Sequence, residues 1–269
     1  MSREIAAGVL LRVAYEGTEF HGWASQKGAR TVQEALLGAV RAIDDGVRGV
    51  RGASRTDAGV HAEWQLASFD TSRRLEARAW ALAINQHLPD DVAVRAACDA
   101  PIGFNPRFAA HNKLYRYRLL IDPVRDPLQR KVAWRIGRGI DLALLEREAR
   151  GIVGERDFAA FRSASDEREN TVRHVRRVEV ERSFDTRIVS IAVEGSGFMH
   201  NMVRIIVGTL VDVATGRLAE GAIARGLETR DRRVLGTTAP AQGLTLERID
   251  LRASEEGNQV GAWWPDSAP

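Results

Sequence analysis

Cysteine is nearly absent from this chain. Its 269 residues include one, Cys98, which excludes an internal disulfide framework. Paired cysteines and tight histidine clusters are missing too, so no zinc-type ligand spacing appears and the sequence predicts no metal. There is no apolar run long enough to cross a bilayer and no basic-then-apolar signal at the N-terminus, which predicts a cytoplasmic protein. With 44% hydrophobic and 28% charged residues, the composition is that of a globular chain. The length suits one large domain or two modest ones, and two is the preferred reading.

Lysine is also scarce. Of 39 basic residues only Lys27, Lys113 and Lys131 are lysines, and the rest are arginines. The net charge is +3 and the pI about 9.4. Arginine presents a flat fork of donors that fits phosphate and stacks on bases, which favours a nucleic-acid partner. GC-rich coding gives the same excess without regard to function, so clustering must decide.

What is present reads as two α+β halves. Gly8 to Tyr15 predicts a strand. Thr31 and Glu34 form a capping box before a helix whose inward face is Val32, Leu36, Ala39, Val40 and Ile43. Ala62 to Phe69 predicts a strand, Glu76 to Leu88 a helix with Ala77, Trp80, Ile84 and Leu88 inward, and the segment from Pro89 another strand. The second half repeats the grammar: a strand over Asn112 to Ile121, a helix from Asp141 as cap to Val153, and a hairpin from Val175 to Gly195. A buried helix follows, with Met199, Met202, Val203, Ile206, Val207, Leu210 and Val213 inward and Gly216 ending it. These patterns divide the chain into domains 1–105 and 106–253, with a flexible tail over 254–269 where Trp263 and Trp264 could dock.

Three stretches could carry chemistry. In "RGASRTDAGVHAEW", Asp57 lies in a small-residue loop, where Arg55 two positions away favours the ionised carboxylate needed by a nucleophile or base. A turn aspartate bonded to loop amides, with Arg55 and His61 solvated, is the commoner account of a lone Asp in such a loop. In "YEGTEFHGWASQKGAR", Tyr15, Phe20, Trp23 and His21 interleave with Lys27 and Arg30, a pattern that suits bases on rings and phosphates on cations. At least one of Phe20 and Trp23 is expected to pack in the core. In "NKLYRYRLL", Tyr115 and Tyr117 point to one face of a strand and Arg116 and Arg118 to the other. Arg204, on a strongly apolar helix, needs a carboxylate partner, for which Asp57 is a candidate, or a route to the helix edge.

Taken in order, "YEGTEFHGW", "TVQEAL", "RTDAGVHA", "YRY", "DFAAFR", "MVRIIVG" and "APAQGLTL" strongly resemble the tRNA pseudouridine synthase A (TruA) family from Tyr15 to Leu246. The resemblance implies an α+β fold of two similar subdomains. Each would be a mainly antiparallel, RRM/ferredoxin-like sheet covered by helices, with the active-site cleft between them. It implies a homodimer that turns uridine into pseudouridine at positions 38, 39 and 40 of the tRNA anticodon arm, without metal or organic cofactor. By motif, Asp57 would be the catalytic aspartate and Arg204 its ion-pair partner. Tyr115 would stack on the target uracil, Arg55 would help extrude the nucleotide, and His61 would contribute to substrate binding. Ala24-Ser25 and Ser54 depart from the commoner family sequence at positions touching substrate. Two other readings stay open: a noncatalytic RNA-binding protein, and a hydrolase using Asp57 with His61 as acid and base.

Overall fold

In the computed structural model, residues 4–252 are described, so the tail expected over 254–269 lies outside the described residues. The chain divides into two compact units, which separate between His111 and Asn112; the chain returns to the first at Leu246. This differs from a cut at residue 105. The short turn of helix after Asn105 stays with the first unit, where Ser68 Oγ donates to Phe104 O (2.6 Å) and Arg252 N to Ala109 O (2.8 Å).

The first unit comprises β1 (Ala7–Tyr15), α1 (Val32–Ile43), β2 (Arg51–Gly52), β3 (His61–Thr71), α2 (Ala77–Asn85), β4 (Val92–Ala100) and α3 (Pro106–Ala109). Its sheet runs β4-β1-β3, with β2 beside β3, and every pairing is antiparallel. Helix α1 buries Val32, Leu36, Ala39 and Val40, and α2 buries Trp80 and Ile84, as the 3.6-residue spacing predicts. Trp80 meets Phe69 of β3 edge to face, 5.2 Å between ring centroids.

The start of α1 is where the sequence predicts it, but for another reason. Thr31 occupies the N-cap position without making a side-chain cap bond, and its hydroxyl is buried without a partner. Instead the carbonyls of Gly22 and Trp23 accept from Val32 N (3.2 Å) and Gln33 N (3.0 Å), satisfying two of the amides that a helix start leaves open. Glu34 is drawn away to Ser25 Oγ at 2.6 Å.

The second unit runs from Asn112 to Thr245. It contains most of β5 (Ala110–Ile121), then β6 (Trp134–Ile136), α4 (Leu142–Arg150), β7 (Gly154–Asp157), β8 (Val172–Arg182), β9 (Ile188–Gly195), α5 (Met202–Ala214) and α6 (Ala222–Thr229). Strand β10 (Leu244–Leu251) carries the chain back. The sheet order is β5-β9-β8-β7, antiparallel throughout, with β6 added parallel to β5. The architecture is therefore α+β with mainly antiparallel pairing. Asp141 caps α4 as expected, its Oδ1 accepting from Leu144 N at 3.0 Å.

Helix α5 departs from the one-faced pattern read in the sequence. Every residue from Met202 to Ala214 is buried except Arg204, so this helix is sheathed on all sides. A segment running along it explains how. Gly208 lets the Thr237 carbonyl approach so closely that a Cβ there would sit 1.7 Å from that oxygen, and buried Asp212 accepts from Thr237 N (2.9 Å) and Thr237 Oγ1 (3.1 Å).

Candidate active site

In the first unit, Asp57 opens a tight turn between β2 and β3, closed by Val60 N donating to Asp57 O (3.1 Å) with Gly59 at φ +79°. The carboxylate residue is half-buried, and Arg55 is exposed. Backbone contacts set this loop's shape. Trp23 N donates to Thr56 O (3.1 Å) and Gly59 N to Phe20 O (3.2 Å), so the "EFHGW" segment lies directly against it. Gly22 makes that approach possible: it sits at φ +90°, and a Cβ there would come within 2.6 Å of Thr56 O.

Four buried side chains finish the scaffold with their polar atoms. Tyr15 OH and Thr56 Oγ1 share a hydrogen bond of 2.8 Å. His61 is buried, and its Nδ1 accepts from Gly17 N at 2.9 Å, which engages this ring with the backbone. No local sequence pattern marks Gln65, whose partner lies 11 residues away. Fully buried, it accepts from Ser54 N (3.2 Å) and donates to Ser54 O (2.7 Å), continuing the β2–β3 ladder by side chain where the backbone peels away toward Asp57.

The aromatic and basic stretch before α1 is less available than its composition suggests. Phe20 and Trp23 are each 2% exposed, so both belong to the core. Arg30 lies 3.9 Å above the Phe20 ring and grips both oxygens of Asp91 at 2.8 Å. Lys27 and His21 remain exposed.

In the second unit, Tyr115 of β5 is buried at 6% exposure, opposite Val193 of β9, and meets Phe198 edge to face at 5.4 Å. Tyr117, two residues on, is core: its hydroxyl donates to Pro240 O (2.7 Å), and burial raises its pKa far above the usual phenol range despite the opposing charge of Arg204. Arg116 pairs with Glu181 at 2.5 Å. Arg204, half-buried on α5, donates from Nε to Ala239 O (2.8 Å) and from Nη1 to Asn201 Oδ1 (2.7 Å). Ala239 N returns a bond to Arg204 O (3.0 Å), so the "APAQGL" segment clamps the arginine at both backbone and side chain.

The five residues named from the sequence thus fall into two groups: Arg55, Asp57 and His61 on one turn and strand, Tyr115 and Arg204 within the other unit. Each half offers a charged side chain held by a rigid frame, which suits chemistry requiring fixed geometry. The family model for tRNA pseudouridine synthase matches residues 12–109 and 149–250, which takes in Asp57 and Arg204. The chain belongs to the tRNA pseudouridine synthase family. Relatives named tRNA pseudouridine synthase A include one from Geobacter sulfurreducens, 43% identical over 90% of this chain and 98% of its own length. Others come from Citrifermentans bemidjiense (40%, covering 90% and 96%) and Halalkalibacterium halodurans (38%, covering 90% and 91%). As a synthase of this family, the chain has its "RTDAGVHA" loop inside the first matched segment and "MVRIIVG" inside the second, whereas Tyr115 falls in the unmatched interval.

Proposed function

We propose that the chain isomerises uridine to pseudouridine in tRNA. The observation that carries this reading is the family match across both compact units, joined by 36–43% identity over 90% of the chain to relatives of that name. The reaction breaks the bond from N1 to C1′, turns the base, and joins C5 to C1′. N1 gains a proton and C5 loses one, so atoms balance without a redox partner or group donor. The target base must leave the stack before any side chain can reach its sugar.

Asp57 is the catalytic carboxylate in this proposal, either attacking C1′ or removing the C2′ proton. Arg204 partners that carboxylate. Tyr115 keeps the freed uracil stacked while it turns. Exposed Arg55, which has no ion pair among the described residues, helps extrude the nucleotide or occupies its vacated space. His61 contributes to substrate binding, with its ring fixed by the Gly17 amide it accepts from. The finer reading is a cytoplasmic homodimer acting at positions 38, 39 and 40 of the anticodon arm without metal or organic cofactor.

Pseudouridine mapping by chemical adduct and primer extension tests all but the location and the oligomeric state, which sedimentation measures. Wild-type protein and Asp57→Asn are incubated with unmodified tRNA, with no metal or cofactor added. New signal in the anticodon arm from the wild type alone is the expected result. Silence from both proteins, with tRNA binding intact, would favour a noncatalytic RNA-binding protein.

A further inference from the structure

Phe198 and Asn201 stand at the two ends of a short turn between β9 and α5, and each touches one residue of the second unit's part of the site. Phe198 sets its ring perpendicular to Tyr115, with an interplanar angle of 89°. Asn201 accepts from Arg204 Nη1, and does so from a left-handed conformation, φ +62°, that asparagine adopts more readily than other side-chain-bearing residues. The turn takes its support from a loop 34 residues earlier in the chain, through the neighbouring His200.

Asp166 is the centre of that support. Its side chain is 4% exposed, and its Oδ2 accepts from His200 N at 2.9 Å, the amide directly before Asn201. The loop adds two more bonds to the same residue: Ser163 N donates to His200 O (3.0 Å), and Ser165 Oγ meets His200 Nδ1 (3.1 Å). Arg168 holds the carboxylate through Nε (2.8 Å), Nη2 and its own backbone N (3.2 Å), while Nη1 reaches Phe198 O at 3.4 Å. These bonds outweigh burial and drive the Asp166 pKa far below the usual carboxylate range, so the clamp is charged at every working pH.

We infer that Asp166 is a positioning residue for the isomerisation: with Arg168 it fixes the Phe198–Asn201 turn, and through that turn the Tyr115 ring and the Arg204 guanidinium. The inference rests on the functional reading above. Asp166 acts through its neighbours, so its loss should move the rate of the chemical step and leave capture of tRNA untouched.

Single-turnover rates with the full chain in excess over an unmodified tRNA transcript, alongside filter-binding affinity, decide the matter. Asp166→Ala is expected to slow pseudouridine formation by about 10²-fold, the scale of a displacement near 1 Å, with affinity unchanged. Asp166→Asn, which keeps the shape without the charge, should fall between that variant and the wild type. Should Asp166→Ala fail to fold, Arg168→Lys carries the test, because that side chain is 48% exposed and lysine keeps a cation beside the buried carboxylate while losing the guanidinium fork. Wild-type rates in the folded variants would overturn the inference. So would rate and affinity falling together with thermal stability, the mark of a merely structural residue. An inactive wild type would remove the functional reading as well, whereas an active wild type beside unaffected variants removes this inference alone.

Discussion

In the first unit, Asp57 sits on a loop shaped by main-chain contacts: Trp23 N on Thr56 O, Gly59 N on Phe20 O, and Gly22 pressed against the backbone of residues 56–58. In the second, Arg204 projects from a fully sheathed helix, and side chains do much of the placing: Asn201 holds one guanidinium nitrogen and Asp166 secures the turn that carries Asn201. A short aspartate gains its position from where its Cα lies, whereas a long arginine must be fixed along its length. The two regions should therefore respond differently to substitution. The first is vulnerable to added backbone bulk, the second to removed polar atoms.

The largest effects are expected at the residues proposed to touch the substrate. Asp57→Asn preserves shape and removes the charge, and turnover should fall by at least ~10³-fold while tRNA affinity holds, the scale of deleting a catalytic base or nucleophile. Tyr115→Ala should cost about 10²-fold, with Tyr115→Phe recovering most of it if the ring matters more than the hydroxyl. Rates from the mapping assay on each variant check both. Substantial turnover by Asp57→Asn would end the assignment of that carboxylate.

Added bulk is the next test. Gly22→Ala puts a Cβ 2.6 Å from Thr56 O at a positive φ, and Gly208→Ala puts one 1.7 Å from Thr237 O. Each should destabilise by about 3 kcal/mol, lowering Tm by roughly 10 °C. Gly22→Ala displaces the Asp57 loop, and Gly208→Ala the segment that binds Arg204. Scanning calorimetry with turnover measured well below Tm separates unfolding from misplacement. Unchanged turnover in Gly22→Ala would break the claim that backbone packing aims Asp57.

How much of this could be read from the chain depends on the reach of each interaction. The Asp57 turn is local, and its small residues announce it. Asp141 caps α4 three residues away and was equally legible. Gln65 grips Ser54 from 11 residues off, Arg30 binds Asp91 from 61, and Asp166 meets His200 from 34, so no local pattern marks them. Thr31 shows a subtler failure. The capping box looks complete in sequence, yet tertiary carbonyls took the helix amides and Ser25 took Glu34. Phe20 and Trp23 likewise matched a base-stacking composition but lie in the core, because aromatic spacing alone does not distinguish a binding platform from packing.

A buried carboxylate in the first unit extends the contrast to pH. Burial pushes the Asp44 pKa up, but bonds from Thr71 Oγ1, Ser72 N and Oγ, and Gly46 N outweigh it and hold the value at about 2. A folded value depressed below the unfolded one means that the contribution is complete above pH ~4 and is lost as pH falls through about 2. Roughly 2 kcal/mol should disappear across that window. Urea unfolding of the wild type and Asp44→Asn at neutral pH and near pH 3 measures about half of that loss. A wild type losing no more stability in acid than the variant would show that Asp44 adds nothing.

The smallest effect is the sharpest test of the contrast. Tyr15→Phe deletes one buried hydrogen bond to Thr56, the residue next to Asp57, and leaves the main-chain contacts of the loop in place. The expected cost is about 1 kcal/mol in stability. Turnover should stay close to wild type, because the Trp23 and Phe20 contacts still fix the backbone on which Asp57 rides. Asp166→Ala removes charge-assisted side-chain bonds in the other unit and should slow the reaction strongly. A Tyr15→Phe variant that is folded but slow would show that the aspartate, like the arginine, is aimed by side chains.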